Sequence, residues 1–227
     1  MAKDTLESLR KIHLFNFLDD EQLEYVAQLI IDRFYKAGRI IFFENEPGEA
    51  VFFLKSGRIK VSKADDDGRE QILHFVHPGE MFAEVVLFGD STYPATAEVL
   101  EDAEVQLIRN QDMDRLMLEH PDMALGFLRI MAQRLRFAQR QINELALMST
   151  TRRMASMLLY LAADQGKKTE KGIKIDISLT KQDLASLIGT SRETANRILS
   201  DFKKQKAIEV DRQEIILMDK EKLKSWI

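Results

Sequence analysis

Cysteine is absent from this chain of 227 residues. Disulfide bonds, thiolate metal sites and cysteine-ligated iron–sulfur clusters are therefore excluded, and the composition fits a reducing compartment. No apolar run approaches the roughly 20 residues that a membrane-spanning helix needs. The amino-terminal segment MAKDTLESLRKIHLF also lacks the apolar core of a signal peptide. We expect a soluble, cytoplasmic protein without a membrane partner.

Catalytic motifs are missing as well. The sequence contains no nucleophile–base set, no phosphate-binding P-loop and no H-E-x-x-H zinc motif. The run Asp65-Asp66-Asp67 fits the solvated tip of a hairpin better than a cation site, because nothing nearby completes a shell of oxygen ligands. We therefore predict that the protein is not an enzyme and that it has no metal site.

Charge is distributed unevenly along the chain, although the net charge is only −4. Residues 1–149 carry 17 Lys and Arg against 26 Asp and Glu, whereas residues 150–227 carry 16 against 11. The last third of the chain is therefore basic. Because DNA binding requires neutralisation of phosphates, this distribution favours a nucleic-acid interface in that third.

Residues 179–202, LTKQDLASLIGTSRETANRILSDF, carry the most informative pattern in the chain. Two short amphipathic helices are predicted, separated by a Gly-Thr-Ser turn. Thr180 caps the first helix, with Asp183 completing a capping box, and either Thr190 or Ser191 caps the second. A helix-turn-helix presents the start of its second helix to base edges in the major groove of DNA.

The start of the second helix carries side chains that suit this task. Arg192, Glu193, Asn196 and Arg197 point away from the apolar face of the predicted helix. Arginine can donate two hydrogen bonds to guanine, and glutamate can accept one from cytosine. The alternative is an ordinary pair of helices with a solvated, charged face.

Strand-like segments flank the two helices. Isoleucines alternate within residues 172–177, and two further apolar runs, at 207–210 and 215–218, surround a polar turn. These segments predict a hairpin wing packed on the helices, with Lys203 and Lys204 nearby for phosphates. The flanks favour DNA binding over the alternative.

The run LTKQDLASLIGTSRETANRIL resembles the DNA-binding signature of the Crp/Fnr family of bacterial transcription regulators, and the likeness extends over nearly the whole chain. In members of the cyclic-AMP-receptor type, an Arg-Glu-x-x-x-Arg set reads a TGTGA half-site. The resemblance implies that role for Arg192, Glu193 and Arg197. The residues for which it implies phosphate contacts are Thr180, Gln182, Ser191 and Thr194.

The first half of the chain has a different pattern. Short helices are predicted for residues 4–35, after which six of the ten glycines fall between positions 38 and 89. Apolar runs between the glycines predict short strands, and Asp67-Gly68 predicts a tight hairpin turn. The clearest strands are predicted at 40–43, 51–54, 59–61 and 72–76. Regular short strands indicate an all-β roll, similar to the effector-binding β-roll of the same family.

A long helix is predicted for residues 123–148, in which apolar positions step alternately by four and three residues. The positions of this seam are Ala124, Leu128, Met131, Leu135, Ala138, Ile142 and Leu145. We interpret the seam as a coiled coil in a homodimer, because Phe127, Ile130 and Phe137 offer a separate face to the roll. The alternative is a single helix lying on its own roll. The run at 149–151 can cap the next helix, and we place the domain hinge there.

The resemblance also implies an effector pocket in the roll. Nucleotide-binding members hold the cyclic phosphate with a Gly-Glu pair followed by Arg-Ser-Ala. Gly79 and Glu80 match the first half here, but Tyr93 stands in place of the arginine. Since a buried phosphate without a cation is poorly compensated, cyclic AMP is an improbable effector. The candidate pocket residues are Gly79, Glu80, Tyr93 and Thr96, with Ala138 and Gln139 at the positions of the family's adenine-contacting pair.

Haem is an open alternative as a cofactor, since the cassette is similar to that of haem-dependent nitric-oxide regulators. His13 lies in a segment that resembles the amino-terminal region from which some haem sensors supply a ligand to the haem. His74 and His77 are three residues apart on a predicted strand, so they point to opposite faces and fit surface or turn positions better than a metal site. The class of effector, small molecule or gas, stays open.

Together these patterns predict an α+β protein in three parts. Residues 1–120 form the amino-terminal helices and a cyclic-nucleotide-binding-like jelly-roll (the β-roll), 121–149 a long dimerisation helix, and 150–227 a winged helix-turn-helix. The predicted function is a homodimeric transcription regulator, controlled allosterically through the roll, that binds an inverted repeat of TGTGA-like half-sites. RNA polymerase is the further partner implied. The alternatives are a cyclic-nucleotide-binding module acting on a protein partner and a haem-based gas sensor.

Overall fold

A computed structural model describes residues 2–16, 18–88, 92–175, 179–211 and 214–227. The predicted α+β architecture is confirmed: an amino-terminal antiparallel sheet, a long helix and a carboxy-terminal helix-turn-helix. The chain divides into two compact units, one made of Met1–Ala64 and Ile72–Leu135, the other of Asp65–Gln71 and Arg136–Ile227. The division runs through the long helix, whereas the boundaries at residues 120 and 149 stay predictions.

Two helices and a 3-10 turn open the first unit. The helices are α1 (Ala2–Arg10) and α2 (Asp20–Leu29), with the 3-10 turn at His13–Phe15 between them. The prediction of helix as far as residue 35 was wrong, because Ile31–Tyr35 forms strand β1. This strand pairs antiparallel with a distant strand, which places Ile31 opposite Leu107. The conformation of this segment is determined by its pairing with a distant strand, which no local sequence pattern indicates.

The remaining strands of the first unit form one sheet with β1. They are β2 (Ile40–Phe42), β3 (Ala50–Ala64), β4 (Glu70–Val76), β5 (Met81–Phe82) and β6 (Thr96–Arg109). The central order is β1-β6-β3-β4, with β2 paired to β6 and β5 paired to β3. Every pairing whose register is described is antiparallel. The predicted strands at 40–43 and 72–76 are present.

The strands predicted at 51–54 and 59–61 are parts of one 15-residue strand, β3. Between them lies Gly57, with φ +90°, and the register with β6 shifts on both sides of it. A Cβ atom at this position would lie 2.5 Å from the carbonyl oxygen of Asp102. Glycine therefore marks a bulge inside the strand, where the sequence pattern suggested a turn between two strands.

Helices α3 (Asn110–Glu119) and α4 (Pro121–Leu147) follow the sheet. Met123 and Phe127 of α4 are buried in the core of the first unit, and Ile130 packs against that core, as predicted for the roll-facing side. Phe137 does not join them, because its ring lies 6.0 Å from that of Tyr160 in the second unit. Ten residues after Phe127, it is rotated by about 80° around a helix of 3.6 residues per turn.

The second unit holds the helix-turn-helix and a small sheet. Its further elements are α5 (Thr150–Asp164), β7 (Gly166–Thr169), β8 (Gly172–Ile175), α6 (Lys181–Ile188), α7 (Arg192–Lys204), β9 (Ile208–Asp211), β10 (Glu214–Leu217) and α8 (Lys220–Lys224). The sheet order is β7-β8-β10-β9, so the predicted wing is present and gains an edge strand, β7. Residues 176 and 177 of the strand predicted at 172–177 lie outside the described residues, as do residues 212 and 213 of the turn predicted between 207–210 and 215–218.

Candidate nucleic-acid interface and effector region

The first helix of the pair begins at a reciprocal cap. The Asp183 amide donates to Thr180 Oγ1 over 3.1 Å, and the Thr180 amide donates to Asp183 Oδ2 over 2.8 Å. The predicted capping box is thereby confirmed, and two of the amide groups left free at a helix start are satisfied. The helix ends at Gly189, whose φ of +64° is a left-handed conformation that glycine adopts without strain.

Ser191 is the cap of α7, which decides between the two candidates, Thr190 and Ser191. Its hydroxyl oxygen accepts from the Thr194 amide at 3.2 Å, and the same hydroxyl donates to Thr194 Oγ1 at 3.2 Å. The sequence alone left both open, because threonine and serine are both preferred cap residues and Glu193 lies three residues after Thr190.

The buried face of α7 determines which side chains remain free. Its buried residues are Ala195, Ile198, Leu199 and Phe202. The three candidate base-reading side chains, Arg192, Glu193 and Arg197, are all exposed. Glu193 and Arg197 are four residues apart and so share one side of the helix. Asn196 is exposed too, but its amide oxygen accepts from Lys181 Nζ at 2.6 Å.

The charge state of Glu193 suits an acceptor of hydrogen bonds. Its own backbone amide, the Ser191 hydroxyl and the nearby Arg192 lower the pKa of this carboxyl below its usual range. The group is therefore ionised at neutral pH, as an acceptor from cytosine must be. Two guanidinium groups and one carboxylate stand at the amino-terminal end of α7.

The candidate phosphate contacts fall into two groups. Four lie at the amino-terminal ends of the two helices: Thr180, Gln182 and Ser191 are exposed, and Thr194 is half-buried. Lys203 and Lys204 lie in the last turn of α7, and Lys204 is about 18 Å along the axis from Arg192 at 1.5 Å per residue. Lys204 pairs with Asp201 at 3.3 Å, while Lys203 Nζ donates to the carbonyl of Val210 at 3.4 Å.

In the first unit, the buried carboxylate of the candidate effector cassette is Glu84. It begins a 3-10 helix at Glu84–Leu87, is 5% exposed and follows Ala83, which has φ +61°. Glu80 is exposed, and its carboxylate accepts from the His77 amide at 2.9 Å in a turn. The carboxylate predicted from the Gly-Glu motif, that of Glu80, therefore lies at the surface of the roll.

The ring of Tyr93 packs inside the roll. It is 5% exposed and stacks on Phe42 with ring centroids 3.8 Å apart. Its hydroxyl donates to the Ala50 carbonyl at 3.4 Å, and burial raises its pKa. Phe52 and Phe82 complete the cluster, with centroids 5.2 Å apart. The side chain that replaces the family's arginine thus packs as part of an aromatic core.

A cation is present in this region, but it comes from α4. Arg134 forms an ion pair with Glu84 and donates to the carbonyl oxygen of Met81. Close by in the same unit, burial lowers the pKa of His74 to about 4, assisted by the charge of Arg134 and by His77. Within the described residues, Glu84 Oε2 and His74 Nε2 are buried without a hydrogen-bond partner. Sequence reasoning missed this set, because Arg134 is remote from Glu84 in the chain.

The other candidate pocket residues belong to different elements of the chain. Gly79, with φ +88°, donates its amide to Leu54 O at 2.8 Å in a turn, and Thr96 Oγ1 accepts from the Glu44 amide at 3.1 Å. Ala138 and Gln139 are exposed on the part of α4 that belongs to the second unit.

The remaining haem and cation candidates are His13 and the run Asp65-Asp66-Asp67. The side chain of His13 is outside the described set. In the described ranges no three His, Asp or Glu residues gather as a metal site. Asp65 Oδ1 accepts from the Arg69 amide at 2.9 Å, as predicted for a hairpin tip.

Comparison with protein families gives two matches. A model of the cyclic nucleotide-binding domain matches residues 32–120, and a model of the Crp-like helix-turn-helix domain matches residues 152–226. The first range covers the sheet of the first unit, and the second covers α6, α7 and the wing. The chain belongs to the Crp/Fnr superfamily. It is a DNA-binding transcription regulator and not an enzyme.

Proteins similar to this Crp/Fnr regulator carry different names. It is 28% identical over 220 residues to a CRP-like cAMP-activated global transcriptional regulator from Mycobacterium tuberculosis, covering 96% of this chain and 97% of that protein. It is also 28% identical to the anaerobic regulatory protein of Bacillus subtilis, covering 90% and 87%. The solved structure of the c-di-GMP responsive regulator CLP from Xanthomonas campestris has the same fold, with TM-score 0.79, 22% identity and coverage of 88% and 99%. Family membership therefore leaves the effector undecided.

The seam of α4 is open to solvent in the single chain. Leu128 and Leu135 are 61% exposed, Ile142 is 65% exposed and Leu145 is 46% exposed. Met131 is half-buried and packs against the core of the first unit.

No helix in the described ranges combines the length and the apolar content that crossing a bilayer would take.

Proposed function

We propose that this regulator binds an inverted repeat of TGTGA-like half-sites as a homodimer, under allosteric control from the roll. The observation that supports the proposal most is the amino-terminal end of α7. There a serine cap and a buried apolar face leave Arg192, Glu193 and Arg197 exposed to solvent. Two guanidinium forks can read guanines and one carboxylate can read a cytosine.

The dimer rests on the seam of α4. Apolar side chains at Leu128, Leu135 and Ile142 recur every seven residues, and each is more than half exposed in the single chain. Burying such a row of exposed apolar side chains is favourable, by roughly 25 cal/mol per Å² of apolar surface removed from water. A second copy offers the matching row, and a twofold dimer matches an inverted repeat in DNA. The alternative, a single helix lying on its own roll, does not cover these residues.

The effector is proposed to be something other than cyclic AMP. A cyclic phosphate needs a cation, and the arginine position holds Tyr93, stacked on Phe42. Arg134 is a cation in the same unit, but Glu84 already neutralises it. A phosphate would have to displace this ion pair or stay uncompensated, and both cost free energy. Incubation with cyclic AMP should leave the melting temperature unchanged, and an absorbance spectrum of the purified protein would report bound haem.

The experiment that tests DNA reading is a gel-shift titration across salt concentration. A duplex with two inverted TGTGA half-sites is compared with one in which both half-sites are scrambled. We expect one dimer per duplex, a preference of at least tenfold for the intended sequence, and steep loss of affinity as salt rises. A module acting only on a protein partner would show no sequence preference. Equal affinity for both duplexes would therefore contradict the proposal.

A further inference from the structure

Arg153, near the start of α5, connects two helix ends within the second unit. Its Nε donates to the carbonyl of Ile188 at 2.8 Å, and Nη2 to the carbonyl of Gly189 at 3.3 Å. Its Nη1 donates to the carbonyl of Met148 at 2.9 Å and reaches that of Leu145 at 3.4 Å. One guanidinium therefore binds the end of α6 and the end of α4 together.

These carbonyl groups are chemically suited to a cation. The last carbonyls of a helix have no partner within it, and the helix dipole places partial negative charge there. Gly189 belongs to the turn that leads into α7, and Met148 directly follows the last residue of α4. Arg153 thus joins the turn before the recognition helix to the end of the proposed dimerisation helix.

The geometry requires arginine and not simply a positive charge. The guanidinium presents its donors in a rigid, planar fork, whereas a lysine ammonium concentrates three donors on one nitrogen atom. Contacts with both helix ends, from Nε and Nη2 on one side and Nη1 on the other, use the width of that fork. Arg152, the neighbouring residue, has an exposed side chain and makes no such contacts in the described structure.

We propose that Arg153 is a positioning residue that sets the separation between the two recognition helices of the dimer. The inference rests on the proposed homodimer and concerns which spacing of half-sites it accepts. Since α4 carries the seam, a fixed angle between its end and the turn at Gly189 gives a fixed distance between the two copies of α7. Without the guanidinium, each helix-turn-helix can rotate about the segment at 148–150.

The test varies the DNA spacing as well as the protein. Changing the half-site separation by one base pair moves a half-site by about 3.4 Å and rotates it by about 35°. Wild type should lose affinity by about tenfold for either change, a factor typical of one misplaced contact. Arg153→Met should reduce this discrimination to about threefold or less. It should bind a single half-site as well as Arg152→Met, the matched control that removes the same charge.

Each outcome decides between positioning and a merely structural role. If Arg153→Met retains the wild-type spacing preference, or weakens on every duplex by the same factor, the proposal is wrong. Should its melting curve show that it does not fold, Arg153→Lys replaces it. That variant keeps the charge, is expected to relax the preference too, and would overturn the proposal by behaving as wild type. A wild-type protein without any spacing preference would instead overturn the proposed homodimeric reading, before Arg153 is considered.

Discussion

The roll interior and the recognition helix use the same kinds of charged side chain in opposite ways. In the roll, Glu84 and Arg134 neutralise each other, and Glu84 is buried. On α7, Glu193 and Arg197 share one side of the helix, are exposed and remain available to a partner. The presence of charged side chains alone therefore does not define a binding site. Substitutions in the roll should change stability, and those on α7 should change DNA recognition.

The largest effect is expected from His74 in the roll, and it depends on pH. Its folded pKa of about 4 lies below the ordinary 6.5, so the unfolded state binds more protons between these values. Stability should therefore fall as pH falls from about 6.5 to about 4, by up to about 3 kcal/mol. Denaturant unfolding of His74→Leu should show a flatter pH dependence. An unchanged slope in this variant would contradict the low pKa of His74.

The Glu84–Arg134 pair should show the next largest effect. Arg134→Met leaves a buried carboxylate without its cation, which we expect to cost about 2–3 kcal/mol, less than for a fully buried pair because Arg134 is partly exposed. The double substitution Glu84→Gln with Arg134→Met should recover most of that loss in denaturant melts. If the double variant is as unstable as the single one, the loss comes from packing of the arginine and not from the uncompensated charge.

Arg197→Ala on α7 should leave stability within about 0.5 kcal/mol, because surface substitutions usually do. It should weaken binding to the intended half-site by about 1–3 kcal/mol and relax discrimination at one guanine. Fluorescence anisotropy with single-base variants of the half-site measures both. Lys204→Ala, the control, should weaken binding to all DNA sequences by the same factor. If both variants lost affinity equally across the single-base variants, Arg197 would have no base-reading role.

The smallest effect concerns the cap of α7. Ser191→Ala removes the acceptor of the Thr194 amide and should lower stability by about 1 kcal/mol. Ser191→Gly should cost only a few tenths of a kcal/mol, because glycine is tolerated at this position. The same change at Thr190 should have little effect, and a larger loss at Thr190 than at Ser191 would contradict the observed cap.

Much of the second unit could be predicted because its signals are local. Capping residues act within three positions along the chain, as Thr180 and Asp183 show. The apolar side of α7 has a period set by helix geometry, so the exposed side follows from it. The first unit was harder to predict, because β1 depends on its pairing with β6, whose partner residues lie 68 to 76 positions later in the chain.

The candidate effector region shows the same limit. The pattern at Gly79-Glu80 matched a family motif, yet the buried carboxylate belongs to Glu84, four residues later. The neighbouring residues in the sequence do not show whether a carboxylate on a turn is buried, since its burial depends on which distant segments of the chain pack against it. Arg153 was likewise invisible, because its carbonyl partners lie 35 and 36 residues further along the chain as well as just before it.

Sequence patterns were enough to predict the capping box of α6 and the identity of the exposed side chains on α7. These properties follow from periodicity and from hydrogen bonds between near neighbours in the chain. Three features depend on the packed fold: the continuity of β3 through its bulge, the pairing of Arg134 with Glu84 and the contacts of Arg153 with two helix ends. Such features join residues that are distant in sequence, and the energies that select them arise only when the chain has packed.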